Sequence, residues 1–465
     1  MSILLAGINS QYIHSNPALF ALLRAGERAG IVENLHIADY SINMPMLRVM
    51  EDIYLKAPDV LGFSVYIWNI AFIRELVASL RLLLPKTQII MGGPEASARA
   101  LYYLQELPID GIFIGEGEEA FAAFLKARDK GELCPPLPGW IWKGKEEEYI
   151  PAPKPDFAML PFPYGQQDIE HFHKHNKVIY YESSRGCPYA CAFCASATEP
   201  LRERPLSLVM EELPLLAASL GQVKFVDRTF NADSHRAIAI TKKVLELYAP
   251  GLSWHFEISP FGLSRELVDL WLSAPADYLK LEMGVQSLNP AALAAINRGG
   301  GSWEKAEPLV KELLANDNCH LHLDLIAGLP KDTPDGFAAS FHRLHQLNAG
   351  YLQFGFLKVL PGSVLGAKAT ELGLVFEPQT PYRILATPNM PAEYLFSLNR
   401  AERMFNALYN KGEFRPTLIE AAEKYKGGAL EMYFRAATLH PSLHGLSQQQ
   451  KIELVKILSN ICECL

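Results

Sequence analysis

Val178-Ile-Tyr-Tyr-Glu182-Ser-Ser-Arg-Gly186-Cys187-Pro-Tyr-Ala-Cys191-Ala-Phe193-Cys194 is an apolar run that breaks into a loop marked by glycine, proline and three cysteines. Its first four residues are β-branched or aromatic, which suits a strand, whereas Gly186 and Pro188 would interrupt one. The loop therefore leaves the carboxyl end of a strand at Val178–Glu182. Further along lie strand patterns at Val223–Asp227, Trp254–Ile258, Tyr278–Gly284, His320–Ile326 and Leu352–Val359. Strands spaced by single helical stretches imply parallel βαβ units. Six such units over residues 176–365 predict a (β/α)6 partial TIM barrel, with the chemistry at the carboxyl ends of its strands.

A second α/β region precedes this one. Residues 1–130 carry candidate strands Ser2–Gly7, Asn34–Ile37, Val60–Tyr66, Gln88–Met91 and Gly111–Ile114. Helical patterns at Pro17–Ala29, Ile70–Leu84 and Ala96–Glu106 fall between them. Five strands predict a flavodoxin-like, doubly wound parallel sheet in the order 2-1-3-4-5, which binds ligands beyond its strand carboxyl ends. Residues 131–175 read as a proline-rich linker: Pro135, Pro136, Pro138, Pro151, Pro153, Pro155, Pro161 and Pro163 forbid a continuous helix or central strand. Trp140, Trp142, Phe157, Phe162 and Tyr164 are expected to pack that linker. Over residues 366–465 the strand signals fade, and Glu393–Tyr409, Arg415–Lys426, Leu430–Ala437 and Gln448–Ser459 read as helices of a C-terminal domain.

Bulk composition narrows the function. Hydrophobic residues are 49% and charged residues 20% of 465, as in well-packed globular domains. A formal net charge of −8 argues against nucleic acid as a partner. No run approaches the ~18 apolar residues that a membrane helix needs. MSILLAGINSQ has no basic n-region and reads as a first buried strand. The chain has seven cysteines, three of them within eight residues. An odd, clustered set fits a reducing compartment and a metal site, so the cytoplasm is the expected location.

Cys187, Cys191 and Cys194 are the candidate metal ligands. Three thiolates on one loop can hold three irons of a cubane and leave the fourth open. Structural zinc usually asks for four closed ligands in two separated pairs, and no second pair follows. The CxxxCxxC spacing, with Phe193 before the last cysteine, resembles the radical S-adenosylmethionine (SAM) superfamily signature. That resemblance implies a [4Fe–4S] cluster whose open iron chelates SAM, an electron from a flavodoxin- or ferredoxin-type reductant, and a 5′-deoxyadenosyl radical that removes hydrogen from carbon.

Other motifs extend the resemblance. Trp254-His-Phe-Glu257-Ile, Leu281-Glu-Met-Gly-Val-Gln286-Ser and Ile296-Asn-Arg298-Gly are similar to the oxygen-independent coproporphyrinogen oxidase branch. There the matching Glu, Gln and Arg contact the ribose and carboxylate of SAM, which implies these roles for Glu257, Gln286 and Arg298. Phe193 belongs to the same implied site. Many members carry Gly-Gly-Glu at the end of the second barrel strand. This chain reads Phe225-Val-Asp227-Arg228 instead, so Asp227 replaces that acceptor, acts with Arg228 on substrate, or braces the barrel mouth as an ion pair with Arg228. His320, His322 and Asp324 alternate on one strand, and a substrate or proton-transfer role is open to them.

A flavodoxin-like sheet before such a barrel resembles the cobalamin-binding half of B12-dependent radical SAM enzymes. On that resemblance Ser64 and Tyr66, Gly92-Gly93-Pro94-Glu95 and Gly115 line a cobalamin site. In the first loop, Tyr12-Ile-His14-Ser-Asn-Pro17 aligns with the Asp-x-His-x-x-Gly of cobalamin proteins, but with Tyr12 for Asp and Pro17 for Gly, so His14 is either a cobalt ligand or a loop histidine packed at the domain interface, and a cofactor-free docking domain is the alternative to cobalamin binding. The resemblance implies cobalamin, [4Fe–4S] and SAM as cofactors, and methylation of an unactivated carbon on a small-molecule substrate. The alternative is a radical SAM oxidoreductase, cyclase or rearrangement enzyme without methyl transfer. An iron–sulfur electron carrier would not need the SAM motifs, and a tRNA-modifying enzyme would call for a basic appended domain.

Overall fold

Ile-Leu-Leu-Ala-Gly-Ile-Asn forms β1 (Ile3–Asn9), buried along its whole length as a central strand with both faces covered must be. The computed structural model describes residues 1–465 except 32–33, 198, 300, 317, 442–444 and 461–465; the C-terminal Cys462 and Cys464 lie outside the described residues. The first sheet adds β2 (Leu35–Ser41), β3 (Val60–Ser64), β4 (Gln88–Gly92), β5 (Gly111–Phe113) and β6 (Trp140–Trp142). Its order is β2-β1-β3-β4-β5-β6. The first five strands pair in parallel, as predicted. Alternate residues of β1 feed two cores: Leu4, Ala6 and Ile8 pack with Ile73 and Leu80, and Ile3 and Leu5 with Leu19 and Phe124.

The proline-rich stretch does more than link. Its β6 runs antiparallel along β5, setting Trp142 opposite Gly111. A Cβ at Gly111 would lie 2.3 Å from the Trp142 ring, so glycine is what admits the indole. Trp140 and Trp142 stack at 5.0 Å beside Phe124, confirming them as packing residues.

By contact density the chain divides into two compact units. One is Met1–Ser183 with Arg202–Lys224 and Ala249–Leu252; the other is Ser184–Leu201 with Phe225–Tyr248 and Ser253–Leu465. Beyond the first sheet, β7 (Ile179–Tyr181) leads to two short strands, β8 (Ser184–Arg185) and β9 (Arg202–Glu203), which bracket the cysteine loop in sequence. Then come β10 (Gln222–Phe225), β11 (Ser253–Ile258), β12 (Leu279–Gln286), β13 (Cys319–Ala327) and β14 (Tyr351–Phe356). The second sheet has six strands in the order β14-β13-β12-β11-β10-β7, the succession expected of consecutive βα units. Leu279, Leu281, Met283 and Val285 of β12 are buried, whereas Lys280, Glu282, Gly284 and Gln286 form its polar face.

The C-terminal residues are helical at Ala392–Leu408, Arg415–Glu423, Gly428–Leu439 and Gln448–Ser459. They close on β14: Asn410 accepts from Leu352 N–H at 3.1 Å and donates to its carbonyl at 2.8 Å. Just past that strand, Val359 N–H donates to Tyr382 O and Ile384 N–H to Leu357 O. His345 is buried among Phe341, Phe405, Tyr409 and Tyr433, with Nε2 3.0 Å from the Tyr433 hydroxyl. Among the described residues, no helix is long and apolar enough to cross a membrane.

Candidate functional site

The cysteine loop starts with a glycine that its geometry demands. Gly186 has φ +81°, and a Cβ there would lie 2.2 Å from Pro200 O and 2.7 Å from Glu199 O. The two ends of the loop thereby approach, and Cys187 N–H donates to Glu199 O at 3.2 Å. Three more bonds pin the middle: Ala192 N–H to Ile296 O at 2.8 Å, Leu365 N–H to Ala192 O at 2.7 Å, and Asn297 Nδ2 to Ala190 O at 3.0 Å. Phe193 sits in the turn before Cys194, whose N–H donates to Cys191 O at 3.0 Å.

Burial pushes the Cys191 thiol up, the Cys187 and Cys194 thiols add to that, and the Arg298 guanidinium opposes it. Arg298 Nη1 lies 3.4 Å from Cys191 Sγ, and its Nη2 donates to Gly284 O. Its Nε is buried with no partner. Cys187 Sγ is 3.6 Å from Thr229 Oγ1, and Ser196 N–H points at Cys194 Sγ at 3.4 Å. Among the described residues no three His, Cys, Asp or Glu side chains converge on a single ion position. A cubane asks for something else: each thiolate takes its own iron, at a separate corner. A pinned loop of three thiols beside an arginine with an orphaned N–H fits a cluster and an anionic co-substrate.

The residues matched to SAM contacts come from neighbouring strands. Gln286, the last residue of β12, adopts φ +71°, next to a register shift between Gly284 and Gln286. A Cβ at Gly284 would lie 2.3 Å from Gln286 Nε2 and 3.5 Å from Arg298 Nη2, so these three residues meet. Non-glycine residues at positive φ are costly and concentrate at functional sites. Glu257 on β11 stands in register with Glu282 on β12, and Glu282 with His322 on β13. Asp227 is buried and accepts from Ser184 Oγ at 2.9 Å, whereas Arg228 is exposed. Asp227 thus braces the root of the cysteine loop through Ser184.

The polar face holds groups that sequence reasoning did not pair. His255 Nε2 lies 3.0 Å from Glu282 Oε2, and His322 Nε2 3.0 Å from Asp324 Oδ1. The second contact is short but badly angled, leaving both atoms unsatisfied as hydrogen-bonding groups. His320 is instead drawn to the surface by Asp277 at 2.5 Å. Alternating polar residues on β11 to β13 were the signal that could have found the His255–Glu282 pair.

At the first sheet the loops beyond β1, β3, β4 and β5 carry the residues matched to cobalamin. His14 is tied down by a bridge to Val178, and the Tyr180 hydroxyl lies 2.6 Å from its Nδ1. Burial lowers the His14 pKa, helped by Lys224 and Lys177, so the imidazole is neutral at pH 7. A partner on one nitrogen sets the tautomer and aims the other. Lys177 donates to Asp39 at 2.7 Å and lies 4.1 Å over the Tyr12 ring. Ser64 is buried at the end of β3. Gly93 has φ +103°, and a Cβ there would lie 2.7 Å from Val65 O. Gly92 would meet only Phe113, and Gly115, at φ +109°, nothing within 4 Å. Glu95 departs from expectation: its carboxylate turns into the interior, where it accepts from the Tyr103 hydroxyl at 2.5 Å. Lys177, Tyr180 and Asn69 escaped sequence reasoning, because no motif marks them.

Comparison with known proteins follows the same division. A family model described as the B12 binding domain matches residues 3–125, and the radical SAM superfamily model matches residues 181–344. A third, described as a protein of unknown function (DUF4080), matches residues 370–459. The chain is 25% identical over 75% of its length to "Uncharacterized methyltransferase PH0819" of Pyrococcus horikoshii, covering 79% of that protein. It is 28% identical over 70% of its length to the cobalamin-dependent radical SAM methyltransferase TokK of Streptomyces tokunonensis, but spans only 51% of TokK. Among solved structures, TsrM of Kitasatospora setae, a radical SAM methyltransferase with cobalamin and a [4Fe–4S] cluster bound, superposes with a TM-score of 0.66 at 18% identity, over 87% of this chain and 82% of TsrM. The cobalamin-dependent radical enzyme OxsB superposes with a TM-score of 0.60 at 16% identity, over 98% of this chain and 70% of OxsB. Cysteine loop, strand order and domain matches agree: the chain belongs to the radical SAM superfamily, in the group of enzymes that carry an N-terminal B12 binding domain.

Proposed function

We propose that this enzyme methylates a carbon of a small-molecule substrate, using a [4Fe–4S] cluster, SAM and cobalamin. The observation that carries the reading is the pinned loop that bears Cys187, Cys191 and Cys194, with Arg298 at Cys191 Sγ. When bound, the cluster supplies the electron that splits SAM into methionine and a 5′-deoxyadenosyl radical, and cobalamin supplies the methyl carrier. The chain's own residues do the holding. Cys187, Cys191 and Cys194 grip three irons; Arg298 offers its guanidinium to the SAM carboxylate, Glu257 accepts ribose hydroxyls, and Gln286 and Phe193 complete that site. Asp227 keeps the loop in place. Tyr12, His14, Ser64, Tyr66, Gly92, Gly93 and Gly115 form the cobalamin site, His14 neutral and oriented by Tyr180. A flavodoxin- or ferredoxin-type protein delivers the electron. PH0819, TokK and TsrM are each named methyltransferase, which favours methyl transfer over oxidation, cyclisation or rearrangement, whereas OxsB is named only as a radical enzyme.

Anaerobic reconstitution tests this directly. The wild type should take up about four irons and release 5′-deoxyadenosine from SAM under a low-potential reductant. Cys191→Ala should keep the circular dichroism of the fold and lose SAM cleavage; cleavage that survives the substitution would refute the assignment.

A further inference from the structure

The chain that closes the sixth strand brings two cations together. Val359 N–H donates to Tyr382 O and Ile384 N–H to Leu357 O, so residues 382–384 return antiparallel to the end of β14. Lys358 and Arg383 fall opposite each other in that ladder. Its two bonds flank the pair and do not join it. Such a non-hydrogen-bonded pair has Cα atoms about 4.5 Å apart and side chains on one face. Like charges placed directly opposite in this way repel.

Among the described residues, no carboxylate pairs with either side chain. Glu377 accepts the Arg383 backbone N–H at 3.4 Å. Glu402 feels the guanidinium through space but accepts its hydrogen bond from Asn406. Arg383 is nevertheless held in place: its guanidinium lies 3.9 Å over the ring of Phe356, the last residue of β14. The aromatic face fixes the plane of the fork and leaves its N–H groups unused. Half-buried Arg383 and exposed Lys358 thus form a preorganised guanidinium beside an ammonium. That combination receives an oxyanion, with two N–H donors from the first and a point charge from the second.

The place is as telling as the chemistry. Parallel βα sheets react their substrates at the carboxyl ends of the strands, and this pair stands just past the end of β14. The same loop reaches the cysteine loop, where Leu365 N–H donates to Ala192 O. Phe356 shares the parity of buried Leu352 and Phe354, whereas Tyr351 and Gln353 stand in register with His322 and Asp324 of the polar face. The two cations therefore belong to the rim of the strand ends.

We infer that Arg383 and Lys358 form an anion subsite, and that the substrate carries a carboxylate or phosphate remote from the reacting carbon. This names the substrate class of the proposed function and rests on that reading. A bound oxyanion replaces the repulsion between the two cations with two attractions.

Calorimetric titration of full-length, reconstituted protein with inorganic phosphate, and separately with acetate, at constant ionic strength tests the inference. Wild type should bind at least one of them saturably. Tighter phosphate binding identifies a phosphate ester and tighter acetate binding a carboxylate, and either upholds the subsite. Arg383→Met should weaken binding about tenfold or more and Lys358→Met about threefold or more, while Arg383→Lys should recover part of the loss. Lys242→Met, which removes an exposed ammonium elsewhere, should bind as wild type. In phosphate- and acetate-free buffer, Lys358→Met should unfold at a higher temperature than wild type, because one of two opposed like charges is gone. A wild type that binds neither anion, or binding that survives both Arg383→Met and Lys358→Met, overturns the subsite. Neither result touches SAM cleavage, by which the proposed function itself stands or falls.

Discussion

Gln286 shows how a single residue can trade stability for position. It holds φ +71° at the end of β12, with Nε2 close beneath the Gly284 backbone. A side chain in the left-handed region costs about 1–2 kcal/mol. Gln286→Gly should therefore raise stability by up to about 1 kcal/mol after its own entropic cost, seen as a higher urea midpoint. The same variant should bind SAM more weakly in calorimetry of reconstituted protein. The three cysteines were legible in the sequence because their spacing is local. The backbone of Gln286 was not, since no composition signals a positive φ at glutamine. Nor was the partner of His14 legible: Tyr180 lies 166 residues away, and only the fold brings its hydroxyl to Nδ1.

At the scale of elements, hydrophobic periodicity located the strands of both sheets to within a few residues, because buried parallel strands read as apolar runs. It left the edge strand β6 inside a stretch read as linker. It also joined Pro94–Ala98 and Ala100–Glu106 into one helix, where the backbone breaks at Arg99. Short elements that depend on tertiary partners leave too little periodicity to see. The edge of β14 offers a direct test. Asn410→Ala removes both side-chain bonds to Leu352 and should cost about 1–3 kcal/mol in urea unfolding. His345 supplies a pH test. Burial, with nearby His342 adding to it, pushes its pKa down to about 3. The unfolded chain titrates near 6.5. Folding therefore excludes a proton that the unfolded state binds: this contribution is intact above about pH 6.5 and is lost as pH falls from there toward 3. At pH 5 the loss should be about 2 kcal/mol, and His345→Gln, which cannot titrate, should show a smaller drop in unfolding temperature between pH 7 and pH 5.

Over the whole molecule, the sequence boundaries and the compact units differ in an instructive way. The first unit is discontinuous, gathering Arg202–Lys224 and Ala249–Leu252 with Met1–Ser183. Arg204 is its stitch. Buried, it pairs with Glu212, which also accepts from the Tyr181 hydroxyl at 2.6 Å, and it donates to the carbonyls of Phe157 and Leu160 at 3.1 and 3.0 Å. No motif announces this pairing, because its members are scattered across the chain. Arg204→Met would strand a buried carboxylate and should destabilise the first unit by about 3–5 kcal/mol, read as an early transition in calorimetry.

The fastening of β14 carries a consequence for how this enzyme can diversify. Asn410 and residues 382–384 occupy hydrogen-bonding groups along and just past the sixth strand, where a seventh repeat would otherwise attach. The unit therefore terminates in chain that obeys no repeat. Adding a further βα unit would first have to displace these bonds, so variation in the chain beyond that strand is open to the enzyme where extension of the sheet is not.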